Sequence, residues 1–127
     1  MAIKISNTTI IDDNRNIVSV KSASANVTVL ASAQQSIDLS LGSYFRQSIQ
    51  SNMSYTFSNI PTTTEFYTFI MEITTPSSGV TITWPTSLKW PKDTAPTLSI
   101  SKTHVFVFIT DDGGARWRAA AITDYTT

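Results

Sequence analysis

Few residues of this chain are of types that do bond chemistry. There is one histidine, His104, and no cysteine. His104 opens an apolar run, HVFVFIT. A metal centre needs several converging His, Cys or carboxylate ligands, so His104 reads as a structural or exposed side chain. Serine and aspartate abound, yet no G-x-S-x-G elbow occurs, and abundance does not make a nucleophile. Asp12-Asp13-Asn14-Arg15-Asn16 begins like a calcium loop, with oxygens at alternate positions. The pattern then fails: Ile17 stands where the turn glycine belongs, and Ala23 where the bidentate glutamate belongs. Asp111-Asp112-Gly113-Gly114 has the oxygens to hold a cation, but a tight hairpin demands the same residues.

Glycoside hydrolysis needs two acids across one cleft. The only two glutamates are Glu65 and Glu72. Seven residues of extended chain separate them by roughly 23 Å, beyond the roughly 5–9.5 Å that glycosidases use. Glu72 lies inside an apolar strand and reads as a buried partner of Arg116 or Arg118. The four glycines form no phosphate loop and no dinucleotide fingerprint. The expectation is a chain with no catalytic residue, no cofactor and no metal. Sugar binding through aromatic rings is the remaining chemistry, with Trp84, Trp90, Trp117, Tyr44 and Tyr125 as candidates. In a small β domain such rings more often fill the core, each burying roughly 150–250 Å².

The elements that carry these residues are strands. The chain has 127 residues and nine basic against nine acidic side chains, for a net charge of zero. That size favours one domain with a real core. No basic patch suggests nucleic acid, and no apolar run nears the roughly 20 residues of a membrane span. The N-terminus lacks the apolar segment of a secretory signal. Thr, Val, Ile and aromatic residues favour strands, and strong helix formers are sparse. Ile37, Leu39 and Leu41 alternate with polar neighbours, as do Met53, Tyr55 and Phe57. The runs 44–49, 66–74 and 104–110 read as strands, the last two nearly continuous in apolar residues and therefore central. Asp111–Gly114 turns the chain into a returning strand at 115–123. Turn signals about every ten residues point to an all-β protein, a β-sandwich or jelly-roll-like domain over 34–127. Residues 1–33 read as an N-terminal β arm. Ile3, Ile5, Ile10, Ile11, Ile17 and Val18 are too apolar for a solvated tail and too few for a separate core, so they are the candidate interface with further copies of the chain or with another protein.

The stretch VTITWPTSLKWP, residues 80–91, repeats a Trp-Pro step at an interval of six. Proline cannot donate to a ladder, and the residue before it is pushed to extended geometry. Trp84-Pro85 and Trp90-Pro91 should each end a short strand and form a structural corner, with Trp117 nearby in the core.

Several segments resemble, in the same order, a family of bacteriophage fibre and virion structural modules. They are DLSLGSYFRQSI (38–49), MSYTFSNIP (53–61), VTITWPTSLKWP with APTLS (80–99) and VFVFITDDGGARW (105–117). The N-terminal ISNTTIIDDNRNIVSV resembles short phage tail-fibre repeats, with Asn7-Thr8 in place of their usual Gly-Thr. The resemblance covers about 110 residues. It implies a non-enzymatic virion protein, commonly trimeric, set in a tail fibre or baseplate. Capsid decoration is an alternative, and a carbohydrate-binding receptor-recognition module is a rival of another class. The partners it implies are further copies of the chain and other virion proteins, with host surface glycan as a candidate ligand. No nucleic acid and no membrane insertion are expected.

Overall fold

The structure, a computed structural model, describes residues 3–5, 8–11 and 24–127. These residues are mostly strand, and the only helical pieces are single 3-10 turns at Leu39–Leu41 and Pro91–Asp93. Strands β1 (Ile3–Ile5) and β2 (Thr8–Ile11) form an antiparallel pair, with Ile5 opposite Thr8. Ile3, Ile5, Ile10 and Ile11 fall on this pair, while Ile17 and Val18 lie outside the described residues.

A six-stranded mixed sheet organises the remainder. It is built from β3 (Thr28–Val29), β5 (Tyr44–Ser48), β8 (Tyr67–Thr74), β10 (Leu88–Lys89), β11 (Thr103–Thr110) and β12 (Trp117–Tyr125). Their order is β10-β12-β11-β8-β5-β3. The centre is antiparallel, β12 on β11 on β8. Both flanks are parallel, β5 on β8, β3 on β5 and β10 on β12. The two outermost strands are only two residues long, which limits the open backbone that an edge offers for aggregation. Two further parallel ladders join β4 (Ser36–Asp38) to β7 (Thr56–Ser58) and β6 (Met53–Ser54) to β9 (Ile82–Thr83).

Residues 28–30, which the sequence assigned to the arm, belong to the sheet. Leu30 donates its N–H to the Arg46 carbonyl and is buried. The strand expected over 36–41 stops at Asp38, whose Oδ1 accepts from the Ser40 N–H and hydroxyl and turns the chain. Such local side-chain bonds compete with a ladder.

One sheet face is covered and holds the core. Phe69 and Phe108 stack at 4.6 Å, and Phe57 from β7 meets Phe69, Phe108 and Trp117 edge-on at 5.2, 5.5 and 5.3 Å. Edge-on and offset arrangements suit the ring quadrupoles. A polar knot sits beside these rings. Gln47 is fully buried, its Nε2 donates to the Ala31 and Gln34 carbonyls at 2.7 and 2.8 Å, and its Oε1 accepts from the Tyr55 hydroxyl at 2.6 Å. Burial pushes the Tyr55 hydroxyl well above the ordinary phenol range.

The hairpin between β11 and β12 turns on Gly113 and Gly114, both at positive φ. Gly114 has φ +83°, and a Cβ there would lie 2.7 Å from Ile60 Cδ1 and 3.1 Å from Trp117 Nε1. A left-handed conformation costs a side-chain-bearing residue about 1–2 kcal/mol. Gly114→Ala is therefore expected to lower stability by at least that order, read as an earlier urea midpoint. An unchanged midpoint would contradict the packing described.

Candidate functional site on the outer sheet face

Of the residues singled out for chemistry, Asp12 to Asn16 lie outside the described residues. His104 is fully buried, and its Nδ1 accepts the Asp124 N–H at 3.2 Å. That acceptance leaves the ring proton on Nε2, which lies 3.1 Å from the Ser99 carbonyl. Among the described residues, no group of three His, Cys, Asp or Glu side chains converges as a metal site would. No helix among them is long and apolar enough to cross a membrane.

Asp111 and Asp112 tie the hairpin together. Asp112 Oδ1 accepts the Arg116 N–H at 3.0 Å and lies 3.0 Å from the Thr110 hydroxyl. Asp111 Oδ1 lies 3.4 Å from the Arg116 guanidinium and 3.9 Å from that of Arg118. The Arg116 N–H holds the Asp112 carboxyl below its ordinary value. A lowered carboxyl favours the folded chain where it is ionised. The contribution is present at neutral pH and is lost as pH falls through the lowered titration. Asp112→Asn should therefore lower the melting temperature at pH 7 and merge with the parent in acid. A constant gap at every pH would contradict the assignment.

Trp84 and Trp90 of the Trp-Pro corner are partly buried against the core, and Pro91 is exposed. Trp84 follows β9 and Trp90 follows β10, and the two indoles meet edge-on at 5.6 Å. Trp84 also lies against Tyr55, Phe106 and Phe108 at 5.2, 5.1 and 5.5 Å. The Pro85 carbonyl accepts the Leu88 N–H, and Pro91 begins a 3-10 turn. Trp117 is almost wholly enclosed. Of the candidate sugar-facing rings, only Tyr44 and Tyr125 lie on the outer face of the sheet.

That outer face is the candidate site. In β8 and β11 the buried residues alternate with Thr68, Ile70, Glu72, Thr74 and with Thr103, Val105, Val107, Ile109. Strand pairing lines these up in rows. One row runs Ala120, Val107, Ile70, Tyr44 across four strands. The next runs Ile122, Val105, Glu72, Arg46, Val29 across five. A third runs Tyr125, Thr103, Thr74, Ser48. Ile122 is 60% exposed, Val29 64% and Ile109 36%. The solvated face of a sheet is ordinarily polar, so the β-branched stripe makes this face the candidate contact surface.

No protein-family model, curated protein or solved structure matches this chain significantly.

The expected partnership of Glu72 with Arg116 or Arg118 is corrected. Glu72 sits on the outer face, and its Oε2 accepts the Tyr44 hydroxyl at 2.9 Å. That bond is the main cause of the raised Tyr44 titration. The parallel register of β5 and β8 puts Arg46 opposite Glu72, while Arg116 and Arg118 turn to the hairpin aspartates. Sequence reasoning missed Arg46. Its signal was the alternation Phe45, Arg46, Gln47, with buried residues on either side of an exposed one. A groove of about 670 Å³ opens over these rows, lined by Val29, Arg46, Glu72, Thr74, Thr103 and Tyr125 among others.

Proposed function

We propose that this chain is a non-enzymatic structural module of a bacteriophage virion, a fibre or tail- or baseplate-attached β module that works as a homo-oligomer, most simply a trimer. The observation that carries the reading is the apolar stripe Ile122, Val105, Val107, Ile70 and Ile109 on the outer sheet face. Burying it against sister copies removes apolar surface from water at about 25 cal/mol per Å². Closed symmetry then lets every copy use the same surface. The ordered resemblance of residues 38–117 to phage virion modules supports the same reading. In it, the six-stranded sheet and the two small ladders form a two-layer sandwich, and the N-terminal arm attaches to sister subunits or to the rest of the virion. His104, Glu72, Asp111 and Asp112 are engaged in turn and strand contacts, which suits assembly without bond chemistry.

Sedimentation tests the assembly. The double variant Ile109→Glu/Ile122→Glu alters two exposed positions, where a substitution ordinarily moves monomer stability by no more than about 0.5 kcal/mol. Two buried like charges per contact would be costly in an oligomer. The parent should sediment as an oligomer and the double variant as a folded monomer. A monomeric parent, or an oligomer that survives both charges, contradicts the reading.

A further inference from the structure

The covered side of the sheet holds one polar group that packing leaves unanswered. Trp117 is 1% exposed, with the rings of Phe57 and Phe69 against it. Every fully enclosed side-chain nitrogen or oxygen among the described residues has a hydrogen-bond partner. The Trp117 indole N–H has no acceptor among them, so its edge must reach open space. A buried indole N–H ordinarily finds a partner. The space beside it is a cavity of about 280 Å³, walled by Tyr55, Phe57, Ile60 and Pro85. Gly114 also lines it, and a Cβ there would stand 3.1 Å from Trp117 Nε1, so the missing side chain keeps that edge clear. We propose that this cavity takes a proline-containing stretch of an extended partner peptide, with a peptide carbonyl accepting from Trp117 Nε1.

Donors and acceptors choose the ligand. The lining offers one fixed donor and no charged side chain. The Ser87 carbonyl already accepts the Trp117 backbone N–H, and the Tyr55 hydroxyl is given to Gln47. A ligand rich in N–H groups would lose hydration there without a fixed acceptor in return. An X-Pro amide brings a carbonyl and no N–H. Thr86 and Ser87 add hydroxyls that can donate to further carbonyls. A charged ligand would be stripped of water with no counter-charge to meet it.

Shape agrees with this chemistry. Ring faces and aliphatic groups form the walls, and they suit a pyrrolidine ring. The polyproline conformation makes no internal hydrogen bonds, so its carbonyls stay free to accept. It is also preformed, which keeps the entropy cost of docking on an aromatic-lined groove low. The volume falls just under the roughly 300 Å³ at which small-molecule sites begin, which fits a short piece of chain better than a whole ligand. The cavity shares no residue with the outer apolar stripe, and one chain supplies all of it. The proposal therefore stands apart from oligomerisation.

The experiment uses the 15N-labelled full chain, whose three tryptophans give three indole N–H signals. Acetyl-hexaproline amide is titrated in, with a capped Gly-Ser hexapeptide as the flexible, donor-bearing counterpart. Hexaproline should shift the Trp117 indole signal saturably, together with the amides of Ile60 and Gly114. The Gly-Ser peptide should bind at least about tenfold more weakly, the equivalent of one good contact. Gly114→Ala sets a methyl group against Nε1 and should weaken hexaproline about tenfold, measured where circular dichroism shows the variant folded. Thr86→Glu changes an exposed lining residue, where the fold is little affected. It sets a carboxylate against the ligand's carbonyls and should weaken binding severalfold. A Trp117 indole signal that hexaproline does not move, equal binding of the Gly-Ser peptide, or binding unaffected by Thr86→Glu or by a folded Gly114→Ala would each overturn the proposal.

Discussion

Trp117→Ala is expected to cost about 3–5 kcal/mol, the usual range for truncating a buried indole. Trp117 is 1% exposed and lies at 5.3, 6.5 and 5.5 Å from the rings of Phe57, Tyr67 and Phe69. It is also where β12 takes up β10, through the Trp117 N–H to the Ser87 carbonyl and the pairing of Leu88 with Trp117. The cavity would open on the covered face of the sheet, where several large rings share one contact surface and relaxation is limited. A domain of ordinary stability holds only about 5–15 kcal/mol, so the variant should melt far earlier, or fail to fold at 37 °C. Urea titration followed by circular dichroism reads the change. Trp84→Ala should also lose stability, because its indole contacts Tyr55, Trp90, Phe106 and Phe108. A Trp84→Ala chain that melts like the parent and loses binding to host cells would reassign that indole to ligand contact.

Gln47→Ala should be nearly as damaging for a different reason. The side chain is fully buried and makes three hydrogen bonds, two to backbone carbonyls and one from Tyr55. Removing it orphans the buried Tyr55 hydroxyl, at about 1–3 kcal/mol for a buried group left unsatisfied, and frees two part-buried carbonyls. The expected total is about 3 kcal/mol, after some rearrangement. Tyr55→Phe isolates one bond of the knot and should cost less. Gln47→Ala also releases the turn at 31–34, so amide exchange should rise there and at Leu30 before it rises in β8 or β11. Uniform exchange across the sheet would show that Gln47 does not act locally.

The long strands were readable because each carries a strong pattern. The nearly continuous apolar runs at 66–74 and 104–110 announced strands that are apolar on both faces, and both lie inside the six-stranded sheet. The same runs held the clue to the outer stripe, since Ile70, Val105 and Val107 supply their second apolar face. Pairing was not readable. β5 lies parallel to β8 and β10 parallel to β12, and such partners are set by tertiary packing rather than by a turn between neighbours. The segment 53–58 reads as one alternating strand, yet it serves two. The Met53 and Tyr55 N–H groups bond to the Thr81 and Thr83 carbonyls, while Thr56 N–H turns to Gln35. Glu72 misled for a related reason. An acid within an apolar strand looks buried when one face is imagined, and the register that sets it beside Tyr44 and Arg46 is invisible in one dimension.

The most direct measurement is electron microscopy of purified phage particles labelled with antibody raised against residues 24–127. Specific label is expected on the particle, at repeated positions that reflect an oligomer, with the tail as the first site expected. Particles that carry no label, while the free protein from the same preparation binds the antibody, would contradict a structural role in the virion.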